Sequence, residues 1–257
     1  MEPVLICLAA FAAASLTFFS GFGLGTLLMP VVALFFPLDI AIAITAVVHF
    51  ANNLFKLVLV GRNADRSVLL SFGLPAILFA VLGAILLNWL SAIPPLVSYT
   101  LNGHDFAITP IKLTIGLLIL VFLVLELSPL LASLTISRRF MPLGGMVSGF
   151  FGGLSGHQGA FRSMFLIRAG LTKSQFIATG VTLAVMVDLT RLLVYGSTFF
   201  GQDLADQWLT ILSACAAAFS GSFLGNQLLS KMTYQTVQLI VSALLIAVAL
   251  GLVSGTI

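Results

Sequence analysis

The residues of this chain best suited to chemistry stand inside apolar segments, where a polar side chain needs a partner or a cavity. One group is Ser155-Gly156-His157-Gln158-Gly159, followed by Arg162. A helix starting near Gln158 presents its first amide groups without intrahelical partners, at the positive end of its dipole. Such an end binds an anion without any charged side chain. His157 and Gln158 would line it, and Arg162, about one turn in, would hold a planar or tetrahedral oxyanion through two hydrogen bonds. An earlier stretch, Ser20-Gly21-Phe22-Gly23-Leu24-Gly25, offers a second helix start near Gly23. Two such starts meeting near the membrane midplane make an anion site. The plainer reading of Arg162 is structural, with Asp188 or a helix C-terminus as its partner. His157 reads equally well as a packed, hydrogen-bonded residue.

A second group is His49, Asn52, Asn53 and Lys56, whose spacings of three and four place them on one helix face turned away from lipid. Ala184, Val187, Asp188 and Arg191 repeat that spacing later in the chain. His49, Asn52 and Asn53 are candidate substrate contacts. Asp188 and Arg191, three apart, are expected to neutralise each other; the alternative is that His49 or Asp188 carries a coupled proton. Lys56 and Arg191 sit near segment ends, where snorkelling to the interface is the expected behaviour.

Two other chemistries use some of the same residues. Gly153-Leu154-Ser155-Gly156 matches the nucleophile motif of a rhomboid-type intramembrane serine protease, and His49 with Asn53 imitates its oxyanion element. That reading needs a basic histidine on a later helix, yet His157 is the last histidine of the chain. A divalent metal-cation permease would use His49, His104, His157 and Asp188 as ligands. Such cations prefer several carboxylates or clustered histidines, and Arg162 would repel them. Cys7 and Cys215 lack metal-ligand spacing and read as small packing residues. The reading favours a carrier over an enzyme and implies no cofactor.

The solvent that suits these segments is lipid. Of 257 residues, 60% are apolar and 7% charged, against about 25% charged in a soluble domain. The formal charge of +3 is scattered, with no basic block to follow a phosphate backbone, so nucleic acid is excluded as a partner. The N-terminal apolar run lacks the positive start of a signal peptide and is expected to stay in the mature protein. Roughly eight apolar stretches are long enough to span or enter a bilayer: 4–35, 39–60, 67–91, 110–130, 140–168, 173–195, 206–230 and 233–256. The longest break, 92–109, reads as a loop. The expected fold is therefore an all-α polytopic membrane protein with one transporter domain over 1–257. Trp89 and Trp208 fit interfacial anchors, and Gly221 and Gly225 suit close helix packing.

Sliding the chain against itself by 135 positions aligns Ser20-Gly21 with Ser155-Gly156, Asn53 with Asp188, Lys56 with Arg191 and Gly61 with Gly196. This predicts two homologous halves, at about 4–130 and 140–256. Segments 4–35 and 140–168 carry glycine clusters near their middles, where the backbone is expected to leave helical geometry and either cross broken or turn back. If both turn back, Lys56, Arg62, Arg66, Arg138, Arg139, Arg168, Lys173 and Lys231 share one side, leaving Lys112 and Arg191 on the other. That distribution obeys the positive-inside rule better than straight crossings do. It gives an inverted repeat, the plan of many secondary transporters, with both termini outside the cytoplasm.

The first glycine motif, Gly21-Phe22-Gly23-Leu24-Gly25 with Pro30, resembles the opening of the TauE/SafE family of sulfite exporters. So does its reprise, Gly152-Gly153-Leu154-Ser155-Gly156-His157-Gln158-Gly159 with Arg162. Length, segment number and duplication agree over nearly the whole chain. The resemblance implies a multi-pass protein, expected in a bacterial cytoplasmic membrane. Its cargo would be small anions such as sulfite, organosulfonates or related organic acids, with H+ or Na+ as the expected coupling ion. A homo-oligomer is compatible with it. Leu24 and His157-Gln158 depart from a plain glycine pattern and mark expected selectivity positions.

Overall fold

A computed structural model describes the backbone of residues 2–20, 24–128, 137–196, 206–228 and 234–257. The chain is mostly helix: α1 (Glu2–Ser20), α2 (Leu24–Val32), α3 (Leu38–Val60), α4 (Arg66–Ser91), α5 (Pro110–Leu127), α6 (Met141–Ser155), α7 (Gly159–Leu166), α8 (Lys173–Gly196), α9 (Trp208–Leu228) and α10 (Tyr234–Ser254). Among the described residues, Leu38–Asn63, Arg66–Ser91 and Lys173–Gly196 are long and apolar enough to cross a membrane. Shorter apolar helices lie at Glu2–Ser15, Pro110–Leu125, Trp208–Leu224 and Ser242–Ser254.

Local chemistry sets the boundaries. Asp65 caps α4 by accepting from the Val68 amide at 2.9 Å, and Thr109 caps α5 by accepting from Lys112, ahead of Pro110 at the first helical position. A wide π turn at Leu69–Gly73 precedes Pro75, which has no N–H to give the carbonyl four residues back. Gly156 ends α6 in the left-handed conformation, φ 81°, which suits glycine.

The fold is not purely helical. The segment expected as a loop at 92–109 contains an antiparallel hairpin, β1 (Val97–Leu101) and β2 (His104–Ile108), with Leu101 opposite His104. Asn102 and Gly103 adopt positive φ, 53° and 79°, as a two-residue hairpin turn requires. Tyr99 donates a hydrogen bond to the Ser254 carbonyl at 2.6 Å, tying the hairpin to the end of α10.

The glycine cluster of 140–168 does two jobs, only one of which is to break the helix. Gly145, Gly149 and Gly153 lie inside α6 and face the carbonyls of Phe72, Ala76 and Ala80 on α4. An added Cβ would stand 2.0–2.1 Å from those oxygens. The two helices thus run parallel with their backbones in contact, the arrangement small residues permit when lipid offers no hydrophobic drive for association. The other side of α4 carries Leu70, Leu74, Leu78, Leu82 and Ile85, all more than half exposed. Such a stripe is a liability in water and the right surface for hydrocarbon. α1 and α9 pack in the same manner: the Phe11 carbonyl lies 2.3 Å from where a Cβ on Gly221 would be, and Ser15 donates to the Gly221 carbonyl at 3.0 Å. Gly225 falls among residues whose surroundings are not described.

Only Gly156 turns the chain. Beyond it α7 runs back along α6, placing the Phe165 ring against Gly144, while Ser148 donates to the Gln158 carbonyl at 3.0 Å. The packing of the whole is reciprocal. α6 lies on α4 as α1 lies on α9, α8 touches α4 as α3 touches α9, and α3 pairs with α8 as α5 does with α10. α3 and α8 run antiparallel: Asn63, just past α3, donates to Ser174 near the start of α8 at 2.8 Å, whereas His49, further back in α3, meets Asp188.

Gly149→Ala is expected to lower the melting temperature of the detergent-purified protein by an amount equivalent to about 1–3 kcal/mol, because the helices must part to admit the methyl group. Leu82→Ala, on the exposed face of α4, should stay within about 0.5 kcal/mol. Equal shifts in a thermal melt would show that the close contact has no energetic weight.

Candidate functional site

α3 buries one polar face, with His49, Asn52, Asn53 and Lys56 each no more than 7% exposed. Asp188 and Arg191 answer it from α8, at 0% and 1% exposure. Asp188 is the hub. Its Oδ2 lies 2.6 Å from His49 Nδ1 and accepts from Asn53 Nδ2 at 3.4 Å. Its Oδ1 accepts from Gln158 Nε2 at 3.1 Å and from Arg191 Nε at 3.1 Å, and Arg191 Nη2 stands 2.9 Å away. Gln158 in turn takes a hydrogen bond from Arg162 Nη1 at 3.2 Å through its amide oxygen. Arg162 therefore reaches the carboxylate through Gln158 and is itself partly exposed, with Gly180 leaving room beside its Nε.

Lys56 and Arg191 do not snorkel as their positions near segment ends suggested. Both are buried, because each finds polar partners inside the bundle. Asn52, whose amide lies 2.7 Å from Ser222 Oγ, faces Lys56 Nζ at 3.3 Å once its oxygen is turned towards that group. Arg191 packs against the turn at Gly156, where an added Cβ would stand 2.7 Å from its Nη1. Glycine at this position thus serves both the backbone and the guanidinium.

The two glycine-rich segments converge here. A Cβ on Gly25, at the start of α2, would lie 3.7 Å from the Gly156 carbonyl oxygen, 3.7 Å from the Thr45 methyl and 3.9 Å from His49 Cδ2. Gly21 and Gly23 lie outside the described residues, and the side chain of Ser20 is likewise not described. Gly159 opens α7 and is buried. Ser155 Oγ donates to the Phe151 carbonyl at 3.1 Å and lies 3.0 Å from His157 Nδ1. His157 stacks on Phe122 of α5 at 5.4 Å, within a cluster that includes Phe151 and Phe161. Among the described residues its Nε2 has no hydrogen-bond partner although buried, and the same holds for Thr45 Oγ1. His104 is exposed on β2, outside this buried cluster.

Several members escaped the sequence reading. Thr45 stands one turn before His49 on the same face, a placement that the three-and-four spacing could have revealed. Tyr195 follows Arg191 by four residues and donates to the Gly153 carbonyl. Ser222 and Phe122 reach the cluster from distant segments, and no local pattern announces them.

As a chemical device, the cluster is a buried set of hydrogen-bond donors. Histidine, two amides and two guanidinium groups, directly or in relay, all serve one carboxylate. Charge-assisted bonds of this kind are the strong ones, and the same donors fit a free oxyanion of similar size. An open cavity of about 530 Å³ lies at one end of the bundle, lined in part by Ala33, Asp39, Ser91, Thr109, Lys112 and Thr256. α2 runs from Gly25 at the cluster towards Ala33 at that cavity, about 12 Å at helical rise.

No curated protein and no solved structure matches the chain. The family model described as sulfite exporter TauE/SafE matches residues 6–252. With apolar helix faces suited to lipid on the outside and a polar centre where two glycine-rich segments meet, the chain belongs to the TauE/SafE family of sulfite exporters, a family of membrane transporters.

Proposed function

We propose that this protein is a secondary transporter of small anions, taking sulfur oxyanions, organosulfonates or related organic acids, and that it binds them where the two glycine-broken segments meet. The observation that carries the reading is the convergence of Gly25 and Gly156 on a buried polar cluster containing His49, Arg191, Gln158 and, in relay, Arg162. Interrupted helices at such a junction aim amide groups and basic side chains at one small volume. His157 Nε2 and Thr45 Oγ1, both buried without partners, are further groups free to meet a ligand.

The architecture that serves this function is an inverted repeat, with halves at about 4–130 and 140–256. Three facts support it. The packing is reciprocal between the halves. The equivalent helices α3 and α8 are antiparallel, as inversion requires. Asn53 touches Asp188, its own equivalent at an offset of 135, and a residue meets its copy only on the symmetry axis. The hairpin-like return of α7 along α6 then leaves most basic residues on one side, which we assign to the cytoplasm, with both termini on the other side of a bacterial inner membrane. Asp39 and Lys112 at the cavity mouth face that outer side and make it a vestibule.

The test is thermal stabilisation of the purified protein by sulfite, sulfate, thiosulfate, sulfoacetate, taurine and carboxylates, since a ligand of the folded state raises the melting temperature with concentration. A selective shift is expected, and Arg162→Ala should abolish it, together with transport, while leaving insertion intact. Wild-type uptake by Arg162→Ala would remove that residue from the site. A shift with divalent metals alone would favour a cation permease instead.

Ser155→Ala should retain most transport, because Ser155 only braces the turn. Gly156→Leu should lose it, since the new side chain meets both a left-handed backbone and the Arg191 guanidinium, a conflict of at least about 1–3 kcal/mol. The Ser155–His157 contact is the one observation that favours hydrolytic chemistry. Uptake assays in which the serine change alone is inactive would restore that reading.

A further inference from the structure

We infer that the anion is carried together with a proton, and that the proton rides on the Asp188–His49 pair. This rests on the anion reading above and names its coupling ion. The starting observation is a conflict over donors. Gln158 and Arg191 spend their N–H groups on Asp188 Oδ1, and His49 and Asn53 spend theirs on Oδ2. An arriving oxyanion needs these same donors. Asp188 is wholly buried, so water cannot replace what it would lose, and two anions side by side in a dry pocket repel strongly.

One proton resolves the conflict. Taken up at His49 Nε2, it releases the Nδ1 proton to Asp188 Oδ2, 2.6 Å away, leaving a neutral acid whose O–H donates to the Nδ1 of neutral His49. The Oδ1 atom is then only a carbonyl, and Arg191 and Gln158 can turn to the incoming anion. Before, the site holds a carboxylate and a guanidinium. Afterwards it holds a carboxylic acid, a guanidinium and the anion. The sum of charge is unchanged, so a monovalent anion moves with one proton and carries no net charge.

The remaining charged groups around Asp188 are few. α3 supplies His49 and, further along, Lys56; α8 supplies Arg191; α7 supplies Arg162 through Gln158. His157 in the turn before α7 is engaged with Ser155. α6 has no ionisable side chain, and Arg62, Asp65 and Arg66 stand at the outer ends of α3 and α4. Among the described residues Asp188 is the buried carboxylate of this cluster, so the proton has one acid to sit on, with His49 as its relay.

The test uses proteoliposomes and two probes, methanesulfonate and thiosulfate, strong-acid anions that bind no proton near neutral pH. With the membrane voltage clamped at zero, a gradient of one pH unit, acid outside, should drive about tenfold accumulation of either anion by the wild type, one proton being worth that factor. A proton ionophore should abolish it. Asp188→Asn imitates the protonated acid: it should keep measurable exchange of labelled against unlabelled anion but lose the response to pH. His49→Gln, which keeps a donor but cannot relay a proton, should lose most of the accumulation, and it carries the test if Asp188→Asn does not purify as a folded protein.

Wild-type exchange that ignores the pH gradient overturns proton coupling and leaves the anion site standing. A folded Asp188→Asn without exchange makes Asp188 a structural group and also overturns the proposal. An unaltered gradient response in His49→Gln does the same. If neither probe is exchanged by the wild type, the anion reading falls and takes this inference with it.

Discussion

One buried carboxylate organises the centre of this protein. Removing an ionised side chain from water costs several kcal/mol even after relaxation, and the cost is recovered only if every lone pair finds a donor. Asp188 meets that condition with His49 and Asn53 on one oxygen and Gln158 and Arg191 on the other. These donors come from α3, from α8 itself and from the turn between α6 and α7. The demand of a single group thus fixes where three pieces of chain must stand. It also explains why Gly156 has no side chain, since the guanidinium serving Asp188 lies against it.

Holding those pieces in register falls to backbone contact. Lipid tails are as apolar as leucine, so burying leucines between helices gains little in a bilayer, and close approach of small residues is the remaining source of attraction. Gly145, Gly149 and Gly153 bring α6 onto α4 until carbonyls replace side chains in the interface. Gly221 does the same for α9 on α1. Each of these pairs joins helices far apart in the chain. α3 and α8 lie between them and carry the polar cluster, which is where a shift of one unit against the other would be felt.

Much of this was legible in the sequence, and the failures have causes. Runs of apolar residues placed α3, α4 and α8 within a residue of their observed ends, because the cost of exposed backbone in lipid leaves little freedom. The spacing of His49, Asn52, Asn53 and Lys56 declared a buried face. The hairpin at 97–108 was missed although Asn102-Gly103 is a strong turn signal, because a short exposed ribbon between long apolar runs does not register in hydropathy. Gly149 and Gly153 belong to the cluster expected to break the helix, while their spacing of four, shared with Gly145, is that of a helix interface. Lys56 and Arg191 were placed at the interface by distance from segment ends, and composition alone does not reveal that Asn52, Ser222 and Asp188 would receive them inside. Ser222 joins Asn52 across 170 residues and Phe122 stacks on His157 from a different helix, separations over which local pattern carries no information.

On the inverted repeat proposed above, the offset of 135 that pairs Asn53 with Asp188 has a physical consequence. On a two-fold axis a residue faces its own copy, and the choices there are limited. Two aspartates would repel each other in a dry interior, and two asparagines would leave the basic side chains around them with no carboxylate. One asparagine and one aspartate give a single negative charge, hydrogen-bonded across the axis. The same breaking of symmetry replaces Ala184 by His49 and Arg191 by Lys56 on the α3 side. In that proposal the unequal residues at the axis supply one site with one charge, which a carrier needs if that site is to face each side in turn.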